Sequence, residues 1–304
     1  MAAFPIKALI MYFLPIDYQE PVFRPPSEAF SLILQVTLGC SWNRCAFCEM
    51  YSTKKFRVRS EKEIINDIKA VARINSGIKK VFIADGDPMV LPTNKLLKIL
   101  HTLNKSFPDI RRISIYANAR NILTKSDNEL NALREKGLKL IYLGIESGDN
   151  EVLRMISKGE TSETIVEGLQ KARKAGIKCS VMILNGLGGK KFSEQHAVNS
   201  AEVLNLTQPE YASVLVLSFP LGIKRYIDRF NGEYIEMSKK DLLMEMRQMI
   251  ENTNLDQTVF RSDHASNYLV LKGNLNRDKQ KFLDNIDYAV NHPGILREDW
   301  QRGL

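Results

Sequence analysis

Three of the chain's four cysteines fall within nine residues, Cys40-Ser41-Trp42-Asn43-Arg44-Cys45-Ala46-Phe47-Cys48. A secreted disulfide framework spreads even numbers of cysteines along a chain, so a tight trio of thiols reads as a metal site in a reducing compartment. Structural zinc asks for four nitrogen or sulfur ligands. No second Cys-x-x-Cys is present, and the histidine nearest in sequence is the distant His101. A cluster ligated entirely by protein thiolates fails on the same ground. Three thiolates on a cubane leave one iron without a protein ligand. An open coordination position is what a catalytic metal site uses to bind its substrate. The fourth cysteine, Cys179, lies in the apolar run Cys179-Ser180-Val181-Met182-Ile183-Leu184 and reads as a buried, inert thiol.

The elements around this trio alternate between strand-like and helix-like patterns from 30 to 220, with no low-complexity linker. The pattern predicts strands at 32–37, 80–84, 112–116, 140–145, 178–184 and 211–217. Helices are expected near 60–75, 93–107, 126–136, 151–157, 161–175 and 193–205. Ser60-x-x-Glu63 and Ser126-x-x-Glu129 are capping boxes, and Gly137 suits the residue after a helix. Strands joined by helical crossovers imply a parallel sheet with right-handed connections, here an α/β partial (β/α)6 TIM-like barrel. In such folds the loops at the C-terminal ends of the strands build the active site. Those loops carry the cysteines, Asp85-Gly86-Asp87-Pro88, Asn118-Ala119-Arg120, Glu146-Ser147-Gly148 and Asn185-Gly186-Leu187-Gly188-Gly189. Residues 1–29 read as an N-terminal strap, 30–220 as the core domain, and 221–304 as an α-rich extension that shapes the substrate mouth.

Composition bounds the function. The chain has 304 residues, 44% hydrophobic and 26% charged, which is ordinary globular usage and excludes a disordered or collagen-like chain. No apolar run approaches the ~18 residues of a membrane span. The apolar stretch from Phe4 to Ile16 is broken by Pro5, Lys7 and Pro15, and no signal peptide is expected there. A cytoplasmic protein without membrane partners is the expectation. The net charge of +8 favours acidic partners without choosing one, and no RNA-binding aromatic signature accompanies it.

The cysteine loop with Phe47, the run Gly144-Ile145-Glu146-Ser147-Gly148, and Asn185-Gly186-Leu187-Gly188-Gly189 together resemble the radical S-adenosylmethionine (SAM) superfamily over residues 30–220. The likeness is to the branch of oxygen-independent coproporphyrinogen oxidases, methylthiotransferases and the elongator catalytic subunit. The spacing Cys-x4-Cys-x2-Cys is one residue longer than the usual Cys-x3-Cys-x2-Cys, and Gly188 and Lys190 stand where that branch has proline and glutamate. The resemblance implies a [4Fe–4S] cluster on Cys40, Cys45 and Cys48, with SAM on the remaining iron. Reductive cleavage of SAM then gives a 5′-deoxyadenosyl radical that abstracts hydrogen from a substrate. It also implies a low-potential electron donor such as flavodoxin or ferredoxin. Phe47 is expected to line the adenine pocket, Gly86 and Asp87 to meet the SAM amino group, and Arg120 its carboxylate. Glu146 suits the ribose hydroxyls, and Gly186 and Gly188 allow close backbone approach to adenine.

Each of these residues also has a plainer reading. Asp87 is a turn residue before Pro88, Glu146 an acid facing a helix N-terminus, Arg120 a surface cation, and the glycines turn formers. His264, in the polar run Asp263-His264-Ala265-Ser266-Asn267, is a candidate catalytic residue at the substrate end or else a satisfied loop histidine. Two other functions compete with a radical SAM enzyme of unidentified substrate: a tRNA-modifying enzyme of the same superfamily and a non-catalytic iron–sulfur or zinc module.

Overall fold

The computed structural model describes residues 14–220, 222–230 and 232–302, so most of the stretch from Phe4 to Ile16 lies outside the described residues. The chain divides into two compact units, Met1–Asn43 with Met50–Tyr142 and Lys171–Lys178, and Arg44–Glu49 with Leu143–Gln170 and Cys179–Leu304.

In the first unit, β1 (Leu32–Gln35), the short β2 (Thr37–Leu38) and β3 (Arg57–Val58) are followed by helix α1 (Glu61–Ile74). Then come β4 (Lys80–Ala84), α2 (Thr93–Ser106), β5 (Arg112–Tyr116), α3 (Ala119–Leu123), α4 (Asp127–Glu135) and β6 (Leu138–Glu146), the last running on into the second unit. β1 pairs with β4, β4 with β5 and β5 with β6, all parallel. Both expected capping boxes form: Ser60 opens α1 with Glu63, and Ser126 opens α4 with Glu129. Side chains alternate across these strands. One face carries Ile33, Phe82, Ala84, Leu140 and Tyr142, packed with Tyr18 and Val22 of the strap and with Tyr116. The segment before β1 is pinned by Glu28, which is fully buried and accepts from Arg112 (2.6 Å), Ser114 (3.0 Å) and Tyr142 (2.6 Å). The single strand expected at 32–37 is interrupted after Gln35. Thr37 and Leu38 turn away to pair antiparallel with Val58 and Arg57, which brings the segment after the cysteine loop back beside β2.

The second unit continues with α5 (Asn150–Met155), α6 (Ser162–Lys174), β7 (Lys178–Asn185), α7 (Gly189–Thr207), β8 (Tyr211–Val216) and α8 (Lys224–Arg229). It ends with α9 (Lys239–Glu251), β9 (Val259–Arg261), β10 (Lys272–Asn274) and α10 (Lys279–Asn291). β7 pairs with β8 and β8 with β9 in parallel, and β10 closes antiparallel on β9. The residues after 220 therefore contribute two short strands beside their helices, and α9 packs on both α7 and α10. Helix α7 starts at Gly189, four residues before its expected start, because the chain turns directly from the strand through Gly186 and Gly188 into the helix. Cys179 is fully buried in β7, as expected. No helix among the described residues is long and apolar enough to cross a membrane.

Candidate functional site

None of the four cysteines is in a disulfide; Cys40, Cys45 and Cys48 are half-buried. Cys40 belongs to the first unit, Cys45 and Cys48 to the second. The irregular backbone around the latter two is tied down at two points: Ala46 N–H donates to the Ile156 carbonyl (2.8 Å) and Cys48 N–H to the Cys45 carbonyl (3.3 Å). Phe47 is half-buried between them. Within the Cys-x4-Cys spacing, Asn43 takes a left-handed conformation (φ 44°) and donates its side-chain amide to the Tyr51 carbonyl (3.1 Å). Asparagine is among the residues that tolerate this region.

In the first unit, the end of β4 grips the residues around Cys40. Gly39 N–H donates to Asp85 Oδ2 (3.1 Å), and Gly86 N–H donates back to the Gly39 carbonyl (3.1 Å). A Cβ on Gly86 would lie 2.8 Å from the Cys40 Cβ and 2.7 Å from the Tyr51 ring, so only glycine lets Cys40 sit here. Asp87 is fully buried and accepts from Ser41, from the Asn121 side chain and from Asn118 N–H (3.3 Å), linking the cysteine loop to the start of α3. Arg120 stacks on the Trp42 ring at 4.0 Å. Gly86→Ala is expected to push Cys40 out of place, with an overpacking cost of about 1–3 kcal/mol. Urea unfolding checks this, and an unchanged unfolding midpoint contradicts it.

In the second unit, Glu146 ends β6 in a left-handed conformation (φ 66°) with its carboxylate folded back, so that a Cβ on Gly144 would lie 1.9 Å from it. Such backbone costs about 1–3 kcal/mol in a non-glycine residue and persists where surroundings over-determine it. Here the buried Lys158 holds it, with Nζ 3.4 Å from Glu146 and 3.9 Å from the buried Glu160. Burial pushes the Glu146 carboxyl above its ordinary value, and the Lys158 charge opposes that. The adjoining Ser147 hydroxyl meets His196 Nδ1 at 2.8 Å.

The Gly186 turn after β7 is held on both sides. Its N–H donates to Glu245 Oε1 (2.6 Å) and its carbonyl accepts from the Tyr234 hydroxyl (3.1 Å). Gly188 forms the N-cap of α7. Burial raises the Glu245 carboxyl, opposed first by the charge of nearby His196 and then by the Gly186 N–H. The stabilisation that a raised carboxyl contributes is complete below its unfolded value of 4.5 and is lost as pH climbs through the folded value. Glu245→Gln is therefore expected to lose less thermal stability than the wild type as pH rises from 4.5. Parallel melting curves across a pH series contradict this.

His264 is half-buried, and its Nδ1 accepts from Ser266 N–H at 3.1 Å while meeting the Ser266 hydroxyl at 2.9 Å. Burial lowers its pKa, opposed by the Asp263 charge, so the ring favours its neutral form. Asn267 reaches the Val214 carbonyl of β8 (2.8 Å), which ties this segment to the middle of that strand.

Residues without an assigned role in the sequence prove central to these arrangements: Asp85, Asn121, Lys158, Glu160, His196 and Glu245. Asp85 lies in a rim loop that the strand pattern had already placed. Lys158 and Glu245 carry no sequence sign of burial.

Buried polar atoms without a hydrogen-bond partner lie at the ends of successive strands or beside them: Asp85 Oδ1 after β4, Asn118 Nδ2 after β5, Glu146 Oε2 at β6 and Glu245 Oε2 beside the Gly186 turn. Such atoms are costly unless a ligand or water satisfies them. Among the described residues no three His, Cys, Asp or Glu side chains are grouped about one metal position. The donor chemistry nonetheless fits an iron–sulfur cluster with an open iron: three half-buried cysteine sulfurs on one loop, one fewer than a fully protein-ligated cluster takes.

The sequence profile of the radical SAM superfamily matches residues 34–203. The chain belongs to the radical SAM superfamily. With that family come the [4Fe–4S] cluster, SAM and the partial-barrel α/β fold expected from the sequence. GTP 3′,8-cyclase of Listeria monocytogenes serovar 1/2a is 26% identical to this radical SAM protein over 188 residues, 60% of this chain and 54% of that one. The heme chaperone HemW of Bacillus subtilis (strain 168) is 23% identical over 179 residues, 58% of this chain and 46% of that one. This radical SAM protein thus spans about half the length of the curated relatives it matches. The crystal structure of coproporphyrinogen III oxidase (HemN) from Escherichia coli superposes with a TM-score of 0.56 at 16% identity, covering 73% of this chain and 51% of that one, a likeness of fold.

Proposed function

We propose that this protein is a radical SAM enzyme in which Cys40, Cys45 and Cys48 hold the cluster and the strand-end residues hold SAM. The observation that carries the reading is the trio of half-buried cysteines on the loop following β1 and β2, in a chain of this superfamily. Bound there, the cluster and SAM would supply one-electron reductive cleavage of a sulfonium C–S bond and, through it, radical hydrogen abstraction from a substrate. The protein's part is to bind, orient and exclude water. Gly86 leaves space beside Cys40, and Asp87 orders the loop through Ser41 while its neighbour backbone is offered to the SAM amino group. Arg120 offers a cation to the carboxylate, Phe47 an apolar wall for adenine, and Glu146 Oε2 an acceptor for the ribose hydroxyls. Gly186 and Gly188 give adenine access to backbone. His264 acts through Nε2, since Nδ1 is occupied by Ser266.

A low-potential donor of the flavodoxin or ferredoxin class delivers the electron. Three cysteines clustered within nine residues accord with a reducing, cytoplasmic setting. The charge of +8 favours an anionic substrate, tRNA being the macromolecule of that class.

One assay tests the reading. Anaerobically reconstituted protein, given SAM and dithionite, is expected to form 5′-deoxyadenosine and methionine, with His264→Ala forming them at the wild-type rate in the absence of substrate. Added bulk tRNA is expected to accelerate formation if tRNA is the substrate. Cluster-loaded protein that forms no 5′-deoxyadenosine contradicts the enzyme reading and leaves a non-catalytic module.

A further inference from the structure

Asp85 is a fully buried carboxylate that the proposed SAM site does not use. Its Oδ2 accepts from Gly39 N–H (3.1 Å) and from Lys54 Nζ (2.8 Å), with Gln35 Nε2 at 3.5 Å. Its own N–H donates to Thr37 Oγ1 (3.3 Å). Because the next residue, Gly86, donates to the Gly39 carbonyl, two consecutive residues of β4's end hold both backbone groups of the residue preceding Cys40. Lys54 closes the arrangement from the other side. Its side chain is only 8% exposed, its Nζ also donates to the Gln19 carbonyl (2.5 Å), and a Cβ at Gly39 would meet the Lys54 Cβ at 3.3 Å. The antiparallel pairing of β2 with β3 returns Lys54 to this position.

We infer that the Lys54–Asp85 ion pair positions Cys40 and balances charge beside the cluster. The inference rests on the reading of Cys40 as a cluster ligand. Two properties follow from one geometry. The carboxylate fixes the backbone from which the thiolate projects, the kind of outer partner whose loss typically costs roughly 10–100-fold in metal affinity. The pair also sets the local net charge, one of the determinants of a cluster's reduction potential. With Lys54 removed, the remaining Asp85 anion disfavours an added electron. With Asp85 neutralised, the remaining Lys54 cation favours one.

The experiment compares wild-type protein, Asp85→Asn, Lys54→Met and the double variant Asp85→Asn/Lys54→Met, each full-length, reconstituted anaerobically and titrated by EPR-monitored reduction. The asparagine oxygen still accepts from Gly39. Lys54→Met is expected to move the midpoint potential down, Asp85→Asn to move it up, and the double variant to return to the wild-type value. Shifts of the two single variants in the same direction, or no shift in either, overturn the inference.

Single charges left in the interior can prevent folding, so a second comparison removes the clamp without leaving one. Asp85→Ala/Lys54→Met is expected to keep the wild-type far-ultraviolet circular dichroism and to lose iron to a chelator roughly tenfold more readily. Wild-type iron retention in that variant overturns the positioning role. Wild-type protein that takes up neither iron nor sulfide denies the reading of Cys40 itself. Loaded wild-type protein with indifferent variants denies only the clamp.

Discussion

Replacing Cys40, Cys45 and Cys48 together by alanine removes bound iron and sulfide and lowers 5′-deoxyadenosine formation to that of the protein-free control. The argument is one of donors: three thiolates are the whole protein ligand set of the proposed cluster, and the one other thiol, Cys179, is fully buried in β7. The fold is expected to survive. Each replacement keeps the Cβ and removes one sulfur from a half-buried side chain, so its cost is expected near the low end of the usual range of about 0.5–3 kcal/mol. Iron and sulfide analysis with a melting curve checks both halves. A triple variant that keeps its iron, or that fails to fold, contradicts the account.

Lys158→Met is expected to destabilise the protein by about 3–5 kcal/mol, the usual cost of taking one partner from a buried ion pair. Lys158 stands between two buried carboxylates, Glu146 and Glu160, with 6% of its own side chain exposed. Its removal leaves both without their shared cation and Glu146 in a left-handed conformation with less to hold it. The penalty shows in urea unfolding above the pH at which the Glu146 carboxyl, raised by burial, ionises, and it shrinks in acid as protonation removes that charge. Lys158→Arg, which keeps the cation, is expected to recover part of the loss. An unchanged unfolding midpoint for Lys158→Met refutes this role for the pair.

The sequence was informative where a physical pattern repeats over enough residues. The strands at 80–84 and 112–116 and the capping boxes at Ser60 and Ser126 are found as expected, because short apolar runs and reciprocal cap bonding are local. Elements of two or three residues, such as β2, β3, β9 and β10, are too short to display a period, and their pairing is set by distant partners. The early start of α7 at Gly189 hid behind glycines that read as loop.

In the site, residue types known to carry chemistry were legible, while the groups holding them in place were not. Lysine and glutamate are almost never fully buried unless paired, so Lys158, Glu160 and Glu245 read as solvated surface in a sequence. Only the fold reveals the partners that make their burial tolerable. Asp87 shows the same limit from the other side. Its position was legible, but its bonds to Ser41, Asn118 and Asn121 come from elements that tertiary folding alone brings together.

The central claim is that the three-cysteine loop holds an iron–sulfur cluster with one iron open to SAM. EPR spectroscopy of the anaerobically reconstituted, reduced protein before and after adding SAM addresses it most directly. The account predicts a reduced [4Fe–4S] signal that changes when SAM is added. A signal indifferent to SAM, or protein carrying stoichiometric zinc with neither iron nor sulfide, contradicts it.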